Sequence, residues 1–237
     1  MKKFIKAQNW ERKKAFDAFG NITDPYTGVT TTLDVTNLLS FTKYYKVSFY
    51  GAMTYLVMKS LNEIDAFHYG YDGHGNERSI CQYDGLACSI TALDQTNNLN
   101  FSEYIPVTND IFSFLDHFSR AKDQAENQID RKSNVEVNDY NKVFITCLPW
   151  IQFSDFKNAV DLKESTSNPR ICWGKYYKED EGYKINCSLL VHHGFQDGYH
   201  IGKFFSLFEQ NEKKFIMKKE KDQQSRKIWR YHYERDC

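Results

Sequence analysis

The stretch with the clearest chemical pattern is a pair of histidines followed by an aspartate and a glycine. His192 and His193 come directly after an apolar run that ends at Val191, and Asp197-Gly198 follows in the same loop. A histidine whose pKa is near neutrality can take a proton from a hydroxyl group. A tight turn at Asp197-Gly198 would fold a carboxylate back under that loop. Removal of a proton from a hydroxyl group is what acyl transfer to an alcohol requires.

Two other interpretations of the histidines remain open on the residues alone. They could be ordinary loop histidines near a turn. They could also bind a metal, because four possible ligands lie close together in the sequence: His192, His193, Asp197 and His200. Consecutive histidines that leave a strand point to opposite faces, however, and cannot easily share one ion. We therefore predict no metal site.

The apolar pattern predicts a chain of mixed helices and strands around these residues. Helices are predicted at residues 9–20 (with Asn9 as a possible cap and Gly20 as the stop), around Leu38, at 48–61, at 110–130 and after Gly198. Strands are predicted at residues 26–36, within 67–92, and at 142–149, 170–177 and 183–191. The histidine pair then lies where a strand ends and a helix begins.

Composition limits the class of protein further. The chain has 237 residues, with 31 basic and 31 acidic side chains, so no net charge draws it to nucleic acid or to an anionic membrane. It has no long apolar run and no signal peptide pattern, and its six cysteines lack a CxxC spacing. We predict a cytoplasmic protein with free thiols, one domain over residues 1–211, and a charged, helical extension over 212–237.

The histidine segment also carries a family resemblance. His192-His193-x-x-x-Asp197-Gly198-Tyr199-His200 resembles the HHxxxDGxH signature of the chloramphenicol acetyltransferases. The shorter HxxxDG pattern is shared with other acyltransferases, so it indicates a superfamily and a reaction class. Three further segments, which together with the signature fall within residues 5–210, are similar to this family in particular: Asn9-Trp10-x-Arg12-x-x-x-Phe16-x-x-Phe19, Thr146-Cys147-Leu148-Pro149-Trp150-Ile151-x-Phe153-Ser154-x-Phe156, and Pro169-x-Ile171-Cys172-x-Gly174-Lys175-Tyr176.

The resemblance implies a fold, a co-substrate and an assembly. It implies an α/β two-layer sandwich of the CoA-dependent acyltransferase kind, in which a mixed sheet is flanked by helices. Acetyl-CoA would be the co-substrate, and no metal would be needed. The chain would form a homotrimer whose active sites lie at the subunit interfaces.

The resemblance also implies roles for the residues that match the family motifs. His193 would be the general base that deprotonates the acceptor hydroxyl. Asp197 would pair with Arg12 and hold the loop. Thr146 occupies the place of a serine that stabilises the oxyanion, and it keeps the hydroxyl donor while adding a methyl group.

Substrate-binding residues follow from the same comparison. Trp150, Lys175 and Tyr176 would lie along the CoA channel; core packing of the tryptophan and a plain surface role for the lysine are the alternatives. Ala18, Phe19 and Phe101 would line the acceptor pocket. Cys172 stands where the family has a threonine, and its thiol is a weaker hydrogen-bond donor than a hydroxyl.

Some segments depart from the family pattern, and we interpret them as signs of a changed acceptor pocket. They are the strand at residues 90–95, the longer hairpin around 74–77, and Gly194-Phe195-Gln196 inside the histidine motif. The sequence thus predicts an acetyl-CoA-dependent O-acetyltransferase acting on chloramphenicol or a similar small molecule. An acyltransferase with another acceptor and a non-catalytic CoA-binding relative remain the alternatives.

Overall fold

The computed structural model describes residues 2–73, 79–94, 99–106, 108–127, 141–162 and 166–233. It has ten strands: β1 (Lys2–Phe4), β2 (Tyr26–Asp34), β3 (Tyr69–Asp72), β4 (Ser79–Tyr83), β5 (Ala87–Asp94), β6 (Leu99–Ile105), β7 (Lys142–Cys147), β8 (Arg170–Trp173), β9 (Tyr177–Glu179) and β10 (Gly182–His192). It has five α-helices: α1 (Lys13–Phe19), α2 (Thr36–Tyr45), α3 (Phe49–Asn62), α4 (Ile111–Asn127) and α5 (Gly198–Tyr233).

The main sheet is mixed and has the strand order β2-β10-β8-β7-β5-β6, with β9 paired to β10. β7 runs parallel to both β5 and β8, whereas the other pairs are antiparallel. A second, three-stranded sheet has the order β1-β4-β3. The predicted α/β class with a mixed sheet flanked by helices is confirmed.

The two faces of the main sheet differ in character, because alternate residues of a strand point to opposite sides. One face is apolar and packs in a single core with the helices; its strand residues include Val143, Ile145, Ile171, Trp173, Cys187 and Leu189. The opposite face, which we name the outer face, carries the residues between them. They form two paired rows across β7, β8 and β10. The first row is Phe144, Arg170 and Leu190, and the second is Thr146, Cys172 and Ser188.

Most predicted elements are confirmed, and three boundaries are corrected. Residues 7–9 form a 3-10 turn and α1 begins at Lys13, so Asn9 does not cap the helix, and Arg12 stands at the cap position. The strand predicted at 142–149 ends at Cys147. The strand predicted at 170–177 ends at Trp173 because the Gly174 and Lys175 amides donate to Asn186 and Ile151, which turns the chain.

The last helix continues past the end of the predicted domain without a break. α5 extends through residue 212, and the Glu212 carboxylate is buried against the first turn of α2. It accepts hydrogen bonds from the backbone amides of Asn37 (2.6 Å) and Leu38 (2.9 Å), which caps that helix. Phe215, one turn later, is 7% exposed and belongs to the core. The start of the extension thus packs on the body.

Across the residues that the structure describes, no helix combines the length and the apolar character needed to cross a bilayer.

Candidate active site

The histidine loop, residues 192–198, presents His193 at the end of β10. The His193 amide donates a 2.7 Å hydrogen bond to the Pro25 carbonyl, which fixes the backbone against the start of β2. The imidazole stacks on the Phe19 ring at a centroid distance of 4.0 Å and an interplanar angle of 1°. Its Nδ1 atom is enclosed and makes no hydrogen bond to a described residue, whereas Nε2 is not enclosed. The ring is held in one orientation, with Nε2 as the nitrogen available to a ligand.

An aromatic cluster of Trp10, Phe16, Tyr71 and Phe195 packs against the inner side of the histidine loop. Phe195 is fully buried, and its ring lies 4.9 to 5.6 Å from the other three. Gly194 meets the end of α1 so closely that an added Cβ would lie 3.0 Å from the Gly20 Cα atom. A side chain at this position would push the histidine loop away from α1. Burial of Trp10 in the cluster also explains why it lies outside α1.

The carboxylate of Asp197 ties the loop to the N-terminal segment. Arg12 Nη2 lies 3.1 Å from Asp197 Oδ2, and His200 Nδ1 lies 2.8 Å from Asp197 Oδ1. Burial lowers the pKa of His200, so this imidazole is neutral at neutral pH. Burial alone would raise the pKa of Asp197, but its contacts with His200 and Arg12 lower it. The pair that the resemblance implied is formed; its role in the reaction stays a prediction.

Thr146 and Cys172 face each other on the outer face of the sheet. They form a direct parallel pair between β7 and β8, and Cys172 is paired on its other side with Ser188 of β10. Thr146 is half-buried, whereas Cys172 is fully buried. Burial raises the pKa of the Cys172 thiol to about 12, so the thiol stays protonated at neutral pH. A buried, protonated thiol is poorly suited to act as a nucleophile.

The residues predicted along the CoA channel gather beyond the carboxyl ends of β7 and β8. Trp150 is 65% exposed and Tyr176 is 37% exposed, so the alternative of core packing for Trp150 is wrong. The Lys175 amide donates a 2.7 Å hydrogen bond to the Ile151 carbonyl, which joins the two loops. Tyr176 packs on Phe49 of α3 at 5.1 Å between ring centroids.

The predicted site residues therefore form two groups within one chain. Arg12, Ala18, Phe19, His193 and Asp197 form a group that we name the histidine end. Thr146, Cys172, Trp150, Lys175 and Tyr176 form the other, which we name the threonine end. The side chain of Phe101 lies outside the described part of the chain.

The distance between the histidine end and the threonine end follows from the strand register. Thr146 is in line with Ser188 across β8, and His193 follows Ser188 by five positions along β10. Five residues of extended chain span about 16 Å, and two strand spacings add about 9 Å at right angles. His193 and Thr146 of one chain cannot contact the same reacting group.

Sequence reasoning missed one buried polar residue that shapes the site. Gln196 is fully buried, and its Nε2 donates a 2.8 Å hydrogen bond to the Ala66 carbonyl. Gln196 and Phe195 both point into the protein interior. Their departure from the family pattern therefore changes the packing under the loop, and a changed acceptor pocket stays a prediction. The hairpin at 74–77 lies outside the described residues.

Within the described ranges, no group of three or more His, Cys, Asp and Glu side chains is arranged to hold a metal ion. An accessible, oriented imidazole can instead serve as a general base, and an outer-face hydroxyl can serve as a hydrogen-bond donor.

This fold and loop are found in known acyltransferases, and comparisons with known proteins specify the family. A solved structure entitled "chloramphenicol acetyltransferase" superposes with a TM-score of 0.80 at 23% identity, covering 89% of this chain and 99% of that one. A probable dihydrolipoamide acetyltransferase from Listeria monocytogenes shares the fold with a TM-score of 0.62 at 15% identity, covering 90% of this chain and 95% of its own.

The chain belongs to the chloramphenicol acetyltransferase family, whose family model matches residues 2–209. A chloramphenicol acetyltransferase from Staphylococcus aureus is 29% identical over 210 residues, which are 86% of this chain and 96% of the relative. Another, from Clostridium butyricum, is 27% identical over 207 residues, which are 85% of this chain and 90% of the relative. The suspected family is confirmed.

Proposed function

We propose that the protein transfers the acetyl group of acetyl-CoA to a hydroxyl of chloramphenicol or a similar small molecule. The observation that carries the proposal is the fixed imidazole of His193, stacked on Phe19 with Nε2 accessible at the end of β10. The named activity of the relatives supports the choice of an acetyl group and of chloramphenicol as its acceptor.

His193 is the general base of the proposed reaction. Its Nε2 takes the proton of the acceptor hydroxyl while the hydroxyl oxygen forms a bond to the thioester carbonyl carbon. The proton then passes from the imidazolium to the CoA sulfur as the carbon–sulfur bond breaks, which leaves free CoA and an ester. The contacts of Asp197 with Arg12 and of His193 with Pro25 keep the loop in place through both transfers.

Thr146 is the proposed donor to the negatively charged oxygen of the tetrahedral intermediate. Its hydroxyl lies on the outer face, in a strand held on both sides by parallel neighbours. A donor fixed in this way needs no rearrangement when the charge develops, and one such donor is worth about 10²–10³ in rate.

The distance between Thr146 and His193 within one chain supports a site built between two chains. The histidine end of one subunit would meet the threonine end of its neighbour, so each site would use His193 from one copy and Thr146 from the next. A ring that closes with three copies, as proposed from the family, satisfies this arrangement with three identical sites.

The threonine end offers suitable contacts for the CoA moiety. Trp150 and Tyr176 expose aromatic surface, and Lys175 is exposed beside them. An aromatic face can stack on an adenine ring, and an ammonium group can pair with a phosphate. Ala18, Phe19 and Phe101 are the proposed acceptor contacts, with Cys172 next to the oxyanion donor. We also retain the proposals of a 1–211 domain, a 212–237 extension and a cytoplasmic location.

The decisive test is release of free CoA from acetyl-CoA by the wild-type protein, with and without chloramphenicol, followed by mass spectrometry of the product. Release that requires chloramphenicol and gives its acetyl ester supports the proposal. Release only with other hydroxyl compounds would favour a different acceptor. Binding of acetyl-CoA without release in any acceptor screen would favour a non-catalytic relative.

A further inference from the structure

A cationic side chain lies on the outer face, one row away from Thr146 and Cys172. Arg170 opens β8, is half-buried, and is paired directly with Phe144 of β7 and Leu190 of β10. Because side chains two apart on a strand share a face, Arg170 is on the same side as Cys172, at about 7 Å along the strand. The strand register places Arg170 in this row.

The hydrogen-bonding capacity of this guanidinium is only partly used. Its centre lies 4.9 Å from the centroid of the Phe144 ring, and Nε donates to the Ala159 carbonyl at 3.3 Å. Nη1 is buried and has no hydrogen-bond partner among the described residues. Within those residues, no carboxylate forms an ion pair with Arg170.

An arginine in this condition is unusual, since burying a charged donor without a partner is costly. Burial lowers the pKa of Arg170, which reports the loss of hydration, but an arginine stays charged at neutral pH. An anionic oxygen from outside the chain would supply the missing acceptor. The Phe144 ring below would position the planar guanidinium for it.

We propose that Arg170 binds an anionic group, such as a carboxylate, on the acceptor, on the outer face one row away from Thr146 and Cys172. The inference rests on the proposed function, since it uses Thr146 and Cys172 to mark where the acceptor reacts. Within the small molecules of that proposal, it names one class of acceptor: hydroxyl compounds that carry a negative charge.

The test compares the binding of 4-(hydroxymethyl)benzoate with that of its uncharged analogue 4-(hydroxymethyl)benzamide, by calorimetry on the intact protein. In these probes the hydroxyl and the charged or neutral group lie at opposite ends of one ring. The wild type is expected to bind the carboxylate about tenfold more tightly than the amide. Arg170→Leu is expected to bring the ratio of the two dissociation constants to about one, and Arg170→Lys to keep part of it.

The ratio of the two dissociation constants is taken on one and the same protein. A variant that folds poorly weakens the binding of both probes alike, so the ratio reports recognition of the carboxylate alone. Equal or unmeasurable binding of both probes to the wild type would overturn the inference, as would a preference that survives in Arg170→Leu.

Calorimetry does not depend on turnover, so the two proposals can fail separately. Turnover of chloramphenicol with no preference for the carboxylate would reject the role of Arg170 alone. A carboxylate preference without chloramphenicol turnover would support Arg170 and reject chloramphenicol as the acceptor.

Discussion

The two ends of the main sheet are built in different ways. At the histidine end, the imidazole is held by contacts from its own chain: the Phe19 stack, the Pro25 carbonyl and the aromatic cluster beneath it. At the threonine end, Trp150 and Ile151 are more than half exposed. The histidine end is completed when a single chain folds. The threonine end keeps exposed surface to which other molecules can bind.

This difference has a physical reason. A general base must be aligned before the substrate arrives, and alignment is achieved by packing and hydrogen bonds that exist in the free protein. A surface that binds a large co-substrate and a neighbouring subunit must leave apolar area exposed until they bind. The following predictions test this division between the two ends, in order of decreasing expected effect.

Replacement of the base should have the largest effect. His193→Ala removes the group that we propose accepts the hydroxyl proton, so we expect turnover of the acceptor to fall by about 10³-fold or more. The measurement is release of CoA in the presence of chloramphenicol. His117→Ala, on α4 away from both ends, is the matched control and should keep wild-type turnover. Similar losses in both variants would contradict the assignment.

Mixing two inactive variants tests whether the two ends meet across subunits. Thr146→Val keeps the side-chain shape but removes the hydroxyl, so we expect turnover to fall by about 10²-fold. When His193→Ala and Thr146→Val chains assemble at random in closed rings, about a quarter of the intersubunit sites contain both native residues.

The co-expressed chains carry different tags, and purification through both tags removes the oligomers of a single variant. Each mixed trimer then contains one fully native site of three, so recovered turnover should be about a third of wild type. The separately purified variants, mixed without exchange of subunits, serve as the control. Mixed oligomers no more active than the mean of the two variants would mean that each site is formed within one chain.

The ion pair at the histidine end should stabilise the fold in a pH-dependent way. Asp197→Asn is expected to lower the free energy of unfolding by about 1 kcal/mol at neutral pH, since the pair is partly exposed. The pKa of Asp197 is below its ordinary value of 3.8, so its contribution is complete above that value and is lost as the pH falls through the folded-state pKa.

Thermal unfolding of wild type and Asp197→Asn between pH 3 and 7 measures this effect. The difference between the two midpoints should be largest near pH 7 and should shrink toward pH 3. Asp17→Asn, which removes the exposed partner of Lys13 on α1, is the matched control and should change little at any pH. A constant difference across this range would exclude the linkage.

The smallest effect is expected at Cys172. Cys172→Thr restores a hydroxyl donor beside Thr146, and we expect turnover of chloramphenicol to rise about threefold. Cys172→Val has the same shape without the hydroxyl and serves as the control. If both variants change turnover equally, the effect arises from packing, and the thiol at this position has no hydrogen-bonding role.

Local periodicity and motif spacing were sufficient for the elements that carry the site. The helix predicted at 48–61 is α3, and the helix predicted at 110–130 is α4, which buries Ile111, Phe114, Leu115 and Phe118. The strand that leads into the histidine loop is β10. These predictions succeed because apolar spacing along a single segment determines which face it buries.

Long-range pairing was not predictable in the same way. The sequence did not indicate β1, the separate β1-β4-β3 sheet, or the cap position of Arg12, all of which depend on partners far along the chain. Nor could it show that Gln196 points inward. A buried amide and a pocket amide look alike until the tertiary structure supplies the Ala66 carbonyl.

The sequence by itself determined the fold class, the family and the loop that carries the base, because these follow from local patterns and motif spacing. Only the tertiary structure decided that His193 and Thr146 lie at opposite ends of one chain, and that Arg170 shares a face with Cys172. Both facts depend on strand register, which is set when segments distant in sequence pack against a common core.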